Sequence, residues 1–314
     1  MSERPDLNKE LDGETFRSFY YLKEELVDFC RERMLRKKRI FVTILLLLFI
    51  LVVWTIWGNV TVGVTHYTVT SNRLPHSFDG YKIAVVSDLH NVQFGNNNSQ
   101  LVEKIKKEHP DIIAITGDLV DSNRTDIEIA IQLVSQLTEI APCYYVTGNH
   151  EAWINEQYQE LEKGLIVGDV VVLHDNVIQL TKGSETIQIA GLDDPDCTDR
   201  DTYIQESMVQ TKISNMSLSN EYSILLSHRP EMFEEYVSEE VDLVLSGHAH
   251  GGQFRVPFIG GIIAPNQGLF PKFDAGKYIK NNTTMIVSRG IGNSIIPVRF
   301  NNRPEIVIVE LIRD

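Results

Sequence analysis

The stretch VLSGHAHGGQ, residues 244–253, places His248 and His250 directly after an apolar run and before two glycines. At four earlier junctions in the chain, a strand-like apolar run also ends in a cluster of Asp, Asn or His. They are AVVSDLH (84–90), IAITGDLVD (113–121), YYVTGNHE (144–151) and SILLSH (223–228). Since continuous apolar strands alternate with helical patterns, the sequence predicts an α/β fold whose sheets are buried on both faces.

The polar residues at these strand ends form one candidate site. In α/β sheets, ligands bind beyond the carboxyl ends of the strands, so we expect the five clusters to meet at one edge. Side chains at i and i+2 of an extended segment point the same way, which predicts that Asp88 and His90 act together, as do His248 and His250. A donor set of imidazole, carboxylate and amide suits manganese, iron or zinc and differs from a thiolate set.

The elements between the junctions are predicted from periodicity. Helices are expected at 99–109, 125–140 and 151–165, and a further helical stretch at Asp201–Lys212. Three shorter β segments, at 170–175, 177–180 and 186–194, are expected to form a meander. The β-rich second half predicts a second sheet packed on the first.

The N-terminal region contains a candidate membrane anchor. IFVTILLLLFILVVWTIW, residues 40–57, is 18 residues long and has no charge, which is enough to span a bilayer as a helix. Residues 31–39 carry six basic side chains and one acidic one, whereas the 15 residues after Trp57 carry none. This bias predicts a single-pass cell-membrane protein with a cytoplasmic N-terminus and an extracytoplasmic catalytic domain. A cleaved signal peptide is disfavoured, because no A-x-A-like site follows the apolar run.

The expected domain organisation follows from the anchor. Residues 1–39 form a cytoplasmic polar tail, 40–57 a transmembrane signal anchor, 58–80 a linker with the first strand, and 81–314 the catalytic domain. The chain has a formal net charge of −14, so nucleic acid is not an expected partner. Cys143 and Cys197 lie in the outer part, and the sequence leaves open whether they pair.

The motifs D-x-H, G-D-x-x-D, G-N-H-E, a distal histidine and G-H-x-H resemble those of the calcineurin-like metallophosphoesterase superfamily. The segments GHAHGGQ, GLDD and SRGIG resemble its bacterial membrane-anchored branch, which is related to UDP-2,3-diacylglucosamine hydrolase-like phosphoesterases. The resemblance implies a four-layer α/β/β/α sandwich with two divalent metal ions between the loops of its two sheets. The metals would be Mn, Fe or Zn.

The resemblance also assigns roles to individual residues. It implies one metal held by Asp88, His90 and His250, a second held by Asn149, His228 and His248, and Asp118 bridging both. It implies His150 as the general acid or charge stabiliser, oriented by Asp121, while Glu151 is read as structural. Two possible substrate contacts are added, Arg289 and Gln253, each with a structural role as the alternative.

One position departs from the pattern of a major branch. Protein phosphatases of this superfamily have an arginine directly after the second aspartate of G-D-x-x-D, and this chain has Ser122. A phosphoprotein substrate is therefore disfavoured. We expect hydrolysis of phosphodiester or pyrophosphate bonds of lipid or envelope substrates, by a hydroxide that bridges the metals. The alternatives are a phosphodiesterase acting on soluble nucleotides and a catalytically idle, metal-binding membrane scaffold. The sequence leaves the oligomeric state open.

Overall fold

A computed structural model describes residues 13–198, 202–293 and 295–314 of the chain. The chain divides into two units, Met1–Trp54 and Thr55–Asp314. A single helix, α1 (Gly13–Val60), contains the apolar run 40–57, whose large side chains are exposed, and it is long and apolar enough to cross a membrane. Of the tail predicted at 1–39, residues 1–12 lie outside the described part.

The second unit is built on two mixed sheets of six strands each. The first sheet has the order β1-β16-β2-β3-β4-β5, in which the β16–β2 pair is antiparallel and the other pairs are parallel. Its strands are β1 (Gly63–Ser71), β2 (Tyr81–Val86), β3 (Ile112–Thr116), β4 (Cys143–Val146), β5 (Val170–Val172) and β16 (Glu305–Arg313). The predicted linker 58–80 therefore contains a full sheet strand, β1, paired in parallel with the last strand of the chain.

The second sheet has the order β14-β15-β9-β8-β7-β6, with antiparallel pairs at its two edges and parallel pairs inside. Its strands are β6 (Asn176–Lys182), β7 (Glu185–Gly191), β8 (Ser223–Leu226), β9 (Leu243–Ser246), β14 (Gly276–Lys280) and β15 (Thr283–Val287). Four two-residue strands form two small hairpins between β9 and β14: β10 (Arg255–Val256), β11 (Gly260–Gly261), β12 (Ile263–Ala264) and β13 (Gly268–Leu269).

Three apolar cores give the fold its layers. The central core lies between the two sheets and includes Ile83 of β2, Leu226 of β8 and Val309 of β16. The outer face of the first sheet packs against α2 (Ser99–Glu108), α3 (Ile127–Thr138) and α5 (Tyr158–Val167). The outer face of the second packs against α6 (Thr202–Met216) and α7 (Phe233–Ser238). The predicted α/β/β/α sandwich, preceded by one apolar N-terminal helix, is confirmed.

Helix α3 shows how the sequence pattern produces a layer. Its apolar residues recur at helical spacing, so Ala130, Leu133, Val134 and Leu137 form one fully buried stripe. The Asp126 carboxylate caps the helix by accepting a hydrogen bond from the amide of Ile129.

Two predicted elements differ from the structure. The segments β5, β6 and β7 do not form a meander, because β5 pairs in parallel with β4 in the first sheet while β6 and β7 form a hairpin in the second. The reason is the helix α5 before β5, which returns the chain to the first sheet as a parallel crossover. The predicted helix 151–165 is interrupted, since α4 (Asn149–Trp153) ends before α5 begins.

Candidate metal centre

The predicted ligands lie together where strands of both sheets end. Strands β2, β3 and β4 of the first sheet and β8 and β9 of the second each end two or three residues before the first residue of a polar cluster. Nine side chains meet there, and all are at least 96% buried: Asp88, His90, Asp118, Asp121, Asn149, His150, His228, His248 and His250. These strands are adjacent within each sheet, so their loops face one another across the central core.

Four of these residues form a first group of donors: Asp88, His90, Asp118 and His250. The Nε2 atoms of His90 and His250 lie 3.2 Å apart. Nε2 of His250 is 3.5 Å from Oδ1 of Asp88, and Nε2 of His90 is 3.6 Å from Oδ2 of Asp118. Two carboxylates and two imidazoles therefore point their donor atoms at one buried point.

A second group shares Asp118 with the first. Nε2 of His228 lies 3.1 Å from Nδ1 of His248, 3.2 Å from Oδ2 of Asp118 and 3.2 Å from the amide oxygen of Asn149. The His228 ring is fixed from its other side, because its Nδ1 lies 2.8 Å from the Thr116 carbonyl and donates to it. This backbone bond leaves Nε2 of His228 without a hydrogen in the neutral form, which is the form a metal ligand needs.

Both groups have the donor chemistry and spacing of a divalent metal site. Two nitrogens bound to one ion at ~2.0–2.1 Å are roughly 3.2–3.4 Å apart, which is close to both observed nitrogen pairs. Asp118 belongs to both groups, so one carboxylate is placed to serve two ions. The clustered histidines and aspartates therefore suit two divalent metals.

The backbone around the donors is left-handed, which differs from the extended segments that we expected. The φ angles of Asp88, His90, His248 and His250 are 52°, 46°, 65° and 48°. Such values are uncommon for residues other than glycine and cluster at functional sites, where they cost about 1–3 kcal/mol each. The donors therefore reach their groups from tight turns beyond the strand ends, and His248 and His250 turn toward different groups.

Close packing at Gly247 brings the His248 turn against the Asp88 turn. A Cβ atom on Gly247 would lie 1.8 Å from the Ser87 hydroxyl and 2.4 Å from a carboxylate oxygen of Asp88. The amide of His248 donates to Oδ1 of Asp88 at 3.0 Å, which requires this approach. Glycine is thus needed here for close packing.

Glu151 organises the backbone of the Asp118 loop. Its Oε2 accepts hydrogen bonds from the amides of Asp118 and Gly148, at 2.8 and 2.7 Å, and its Oε1 accepts from Leu119 at 2.8 Å. Burial, with the nearby Asp118 carboxylate, raises the pKa of Glu151 above its ordinary value. These contacts agree with the structural interpretation of Glu151 and place none of its oxygens in a donor group.

The buried carboxylates and imidazoles of the two groups shift one another's pKa values. Burial works to raise the pKa of Asp118, but His228 and His90 outweigh it and hold that pKa well below its usual range. Burial works to lower the pKa of His228, but Asp118 and Asp88 reverse this and raise it. Burial lowers the pKa of His90, with only partial opposition from Asp118, so that ring is neutral at neutral pH.

His150 lies beside the donors without joining either of the two main groups. Its ring is 4.5 Å from the His90 ring in an edge-on arrangement, and it lines a cavity of about 170 Å³ together with Asp118 and His248. The amide of Ser122 donates to Nδ1 of His150 at 2.9 Å. Because Nδ1 accepts, the neutral ring carries its hydrogen on Nε2.

The Asp121 carboxylate lies near the His150 ring, and it accepts hydrogen bonds from backbone amides. Its carboxylate is grouped with the ring nitrogens of His90 and His150, all within 4.8 Å. Its Oδ1 accepts from the amides of Asn123 and Arg124, at 2.9 and 3.1 Å. The His150 tautomer is fixed by the amide of Ser122, the residue after Asp121. The predicted role of the Asp121 carboxylate in orienting His150 stays a prediction.

The two predicted substrate contacts are engaged with protein partners. The Gln253 amide donates to the carbonyls of Ile296 and Val298, both at 2.8 Å. The Arg289 guanidinium forms an ion pair with Glu305. Both geometries agree with the structural alternative considered for these residues, and substrate contact by either one stays a prediction.

Sequence reasoning missed Arg229, which borders the second group. Its guanidinium is buried and forms a bidentate pair with Asp194, at 2.6 and 2.8 Å. Nη1 of Arg229 lies 3.5 Å from Nε2 of His248, on the side of that ring opposite His228. The sequence does show an arginine directly after His228 at the end of a strand, but its partner Asp194 is 35 residues away in sequence.

Sequence reasoning also missed Arg299, which is 1% exposed. Its Nη2 lies 3.3 Å from Nδ1 of His250, and its other contacts include the carbonyls of Arg289 and Gly292. Gly292 in turn donates its amide to the Asp88 carbonyl at 2.6 Å. Arg299 therefore holds the loop that packs over the Asp88 turn.

The two-sheet sandwich and the buried histidine–aspartate cluster define a class, the metal-dependent hydrolases of α/β architecture. A family profile described as Calcineurin-like phosphoesterase matches residues 81–252, and the chain belongs to that family. This family implies a metal-dependent phosphoester hydrolase. The more specific relation to UDP-2,3-diacylglucosamine hydrolases stays a prediction.

Relatives of this chain carry the same domain. The chain is 32% identical over 257 residues to the metallophosphoesterase YkuE of Bacillus subtilis, covering 79% of this chain and 84% of that protein. It is 30% identical over 260 residues to an uncharacterized metallophosphoesterase of Aquifex aeolicus, covering 79% and 91%. It is 28% identical over 247 residues to a zebrafish (Danio rerio) transmembrane protein with metallophosphoesterase domain, covering 76% of this chain and 55% of that one.

Proposed function

We propose that this protein is a membrane-anchored phosphoesterase that uses two metal ions to hydrolyse phosphodiester or pyrophosphate bonds, with lipid or envelope substrates. The observation that carries the proposal is the sharing of Asp118 between two buried donor groups, from which Asp118, His248 and His250 line one cavity. When bound, two divalent cations supply Lewis acidity that activates water and polarises phosphoryl oxygens. The seven proposed ligands are Asp88, His90, Asp118, Asn149, His228, His248 and His250.

His150 is proposed as the group that assists departure of the leaving oxygen. It lines the cavity, its Nδ1 accepts from the Ser122 amide, and its hydrogen is consequently on Nε2. A neutral imidazole in this tautomer donates a hydrogen bond from Nε2 that stabilises the charge developing on the leaving oxygen, and its doubly protonated form can pass that oxygen a proton and return to the neutral ring. Asp121 is proposed to assist by its charge and by fixing the loop that carries the Ser122 amide.

The rim of the cavity supports a substrate with an apolar part. The Trp153 ring lies beside that of His150, tilted by 40° with ring centroids 4.9 Å apart, and the Trp153 indole donates to Asp196 at 2.8 Å. Ile295 also lines the cavity and is exposed. An aromatic and an aliphatic side chain at the mouth favour a substrate whose leaving group or acyl part is apolar.

The anchor is proposed to be residues 40–57, with the N-terminus in the cytoplasm and the catalytic domain outside. Support comes from the apolar helix α1, the basic flank at residues 31–39 and the transmembrane relative. The proposed catalytic domain remains 81–314, and the contacts of β1 with β16 support including residues 63–71 in the same folded unit.

The proposed activity is tested with full-length protein in nanodiscs. The substrates are bis(4-nitrophenyl) phosphate and the corresponding monoester, before and after chelation. We expect diester hydrolysis that is lost on chelation and restored by Mn²⁺ or Zn²⁺. A folded protein that hydrolyses neither ester with any of these metals would point to the idle-scaffold alternative. Lipid mass spectrometry of cells with and without the protein then identifies the accumulating phosphate ester.

A further inference from the structure

A loop of residues 254–273, here called the apolar loop, exposes large hydrophobic side chains in the catalytic unit. Phe258 is 109% exposed, Leu269 67%, Phe270 64% and Ile259 62%. Isolated exposed apolar residues are normal on a protein surface, but several within one short segment mark an interaction site.

The apolar loop is held in place by its base and is not a frayed segment. The hairpins β10–β11 and β12–β13 pair within it, and Ala264 and Phe273 insert into the core of the second sheet. At the base, Nη1 of Arg255 lies 2.9 Å from the Asp274 carboxylate. The exposed Phe258 and Phe270 adopt φ angles of 68° and 56°, a costly conformation for a bulky residue. The fold therefore presents these rings to the outside at a cost in backbone energy.

The apolar loop is directly connected to the point where α1 ends. The Asn59 side chain, in the last turn of α1, donates to the Arg299 carbonyl at 2.7 Å and accepts from the Arg299 amide at 2.8 Å. The next residue, Phe300, accepts from the amide of Arg255 at 3.0 Å. Nearby, the Arg303 guanidinium lies 4.7 Å from the Trp57 ring centroid. Within the unit Thr55–Asp314, one short segment thus joins the last turn of α1 to the base of the loop.

The sequence around the loop is cationic in an acidic protein. Residues 243–304 contain seven lysines and arginines and a single carboxylate, Asp274, in a chain with a net charge of −14. That carboxylate is already paired with Arg255. Among these cations, Arg299 is buried, Arg289 pairs with Glu305, and Lys272 and Lys280 pair with Glu234. The exposed lysines Lys272, Lys277 and Lys280 lie at and just beyond the end of the loop, and basic residues next to exposed apolar side chains match a bilayer surface with anionic headgroups.

We propose that the apolar loop inserts Phe258, Ile259, Leu269 and Phe270 into the surface of the bilayer that α1 spans. The inference rests on the proposed membrane anchoring and deepens it. Two residues of the apolar loop, Pro265 and Asn266, line the same cavity as His150. Seating the loop in the headgroup region therefore brings the candidate metal centre next to lipid-linked phosphate esters.

The test uses full-length protein in vesicles of phosphatidylcholine and phosphatidylglycerol. In a Cys30→Ser, Cys197→Ser background, which removes both exposed thiols, a single cysteine at Phe258 or Phe270 carries an environment-sensitive fluorophore. The matched control is Val167→Cys, at the end of α5 and 76% exposed. We expect lipid-borne nitroxide to quench labels at 258 and 270 about twofold more than the control, because inserted side chains reach ~5–10 Å into the headgroup boundary.

Each other outcome overturns the proposal. Equal quenching at all three positions places the loop in water. Shielding of 258 and 270 from aqueous iodide without quenching by lipid nitroxide means that a protein surface, such as a second copy, covers the loop. An alkaline carbonate wash of the same vesicles tests the membrane anchor separately from the insertion of the loop. Protein that the wash removes refutes the anchor and the loop together, whereas retained protein with unquenched labels refutes the loop alone.

Discussion

Oδ2 of Asp118 lies 3.2 Å from Nε2 of His228, and both side chains are completely buried. The same oxygen lies 3.6 Å from Nε2 of His90, which belongs to the other donor group. A carboxylate between two sets of imidazoles would be placed to hold two cations and to offset the repulsion between them. Asp118 is therefore the residue on which the proposed centre depends most.

The first prediction concerns Asp118→Asn, which keeps the size of the side chain and removes its charge. We expect diester hydrolysis to fall by at least about 10³-fold, because the shared charge for both cations is lost. Initial rates with Mn²⁺ added to saturation measure the effect. The control is Asp126→Asn at the cap of α3, which changes a surface carboxylate and leaves the rate near that of the wild type. An Asp118→Asn enzyme with wild-type rates would refute the shared-ligand role.

The second prediction concerns His150→Gln, which keeps a hydrogen-bond donor but cannot transfer a proton at neutral pH. We expect the hydrolysis rate to fall by ~10²–10³-fold for substrates whose leaving alcohol has a high pKa, and to fall much less for 4-nitrophenyl esters. Rates for a series of leaving groups, with the metal content measured in parallel, check this. If all leaving groups slow down equally at unchanged metal content, His150 is not the general acid.

The third prediction concerns Gly247→Ala. The added methyl group would lie 1.8 Å from the Ser87 hydroxyl and 2.4 Å from Asp88, so we expect a loss of about 3 kcal/mol in the free energy of unfolding. The matched control is Gly80→Ala, where φ is 74° and nothing lies within 4 Å, so only backbone strain of about 1 kcal/mol is expected. Thermal unfolding compares the two variants. Equal losses would mean that the Asp88 and His248 turns do not pack as described.

The fourth prediction concerns the pH dependence of stability at His174. Its Nδ1 lies 2.8 Å from Asp193 and its Nε2 lies 2.7 Å from Glu162. The hydrogen bond to Asp193, aided by Glu162 and opposed by partial burial, raises the pKa of His174 from 6.5 to about 9. A raised folded-state pKa stabilises the fold fully below pH 6.5, and this contribution is lost as the pH rises through about 9.

The His174→Gln variant tests this dependence. We expect it to be less stable than the wild type by about 1 kcal/mol at pH 6, a figure already reduced for solvent screening of a partly exposed pair. The difference should shrink toward zero above the folded-state pKa. Melting temperatures across that range provide the measurement, and a difference that does not change with pH would contradict the ion-pair interpretation.

The composition of the site was predictable from sequence, while the way in which the backbone builds it was not. Strand-end motifs indicated which polar residues gather, because the carboxyl ends of neighbouring strands share one edge. The i, i+2 argument for His248 and His250 was wrong in its mechanism, because both residues have positive φ. Left-handed φ at non-glycine residues has little sequence signal, since tertiary packing imposes it.

Arg229 and Arg299, which contact ligand histidines, could not be predicted from the sequence for a different reason. Arg229 meets Asp194 across 35 positions, and Arg299 meets His250 across 49. Asp194 and Arg229 follow the neighbouring strands β7 and β8 of the second sheet, and His250 follows β9 while Arg299 lies between β15 and β16. These pairs depend on which strands become neighbours in the fold, so local patterns do not identify them. The predicted meander was wrong for a related reason, because β5 and β6 are neighbours in sequence but belong to different sheets.

Metal stoichiometry tests the proposed two-metal centre most directly. Full-length protein is stripped with chelator, re-equilibrated with Mn²⁺ or Zn²⁺, freed of excess metal and measured by inductively coupled plasma mass spectrometry. We predict two ions per chain in the wild type, and fewer in the Asp118→Asn and His228→Ala variants, whose fold is monitored by circular dichroism. A folded wild-type protein that binds no divalent ion, or that hydrolyses diesters at full rate after exhaustive chelation, would contradict the two-metal centre.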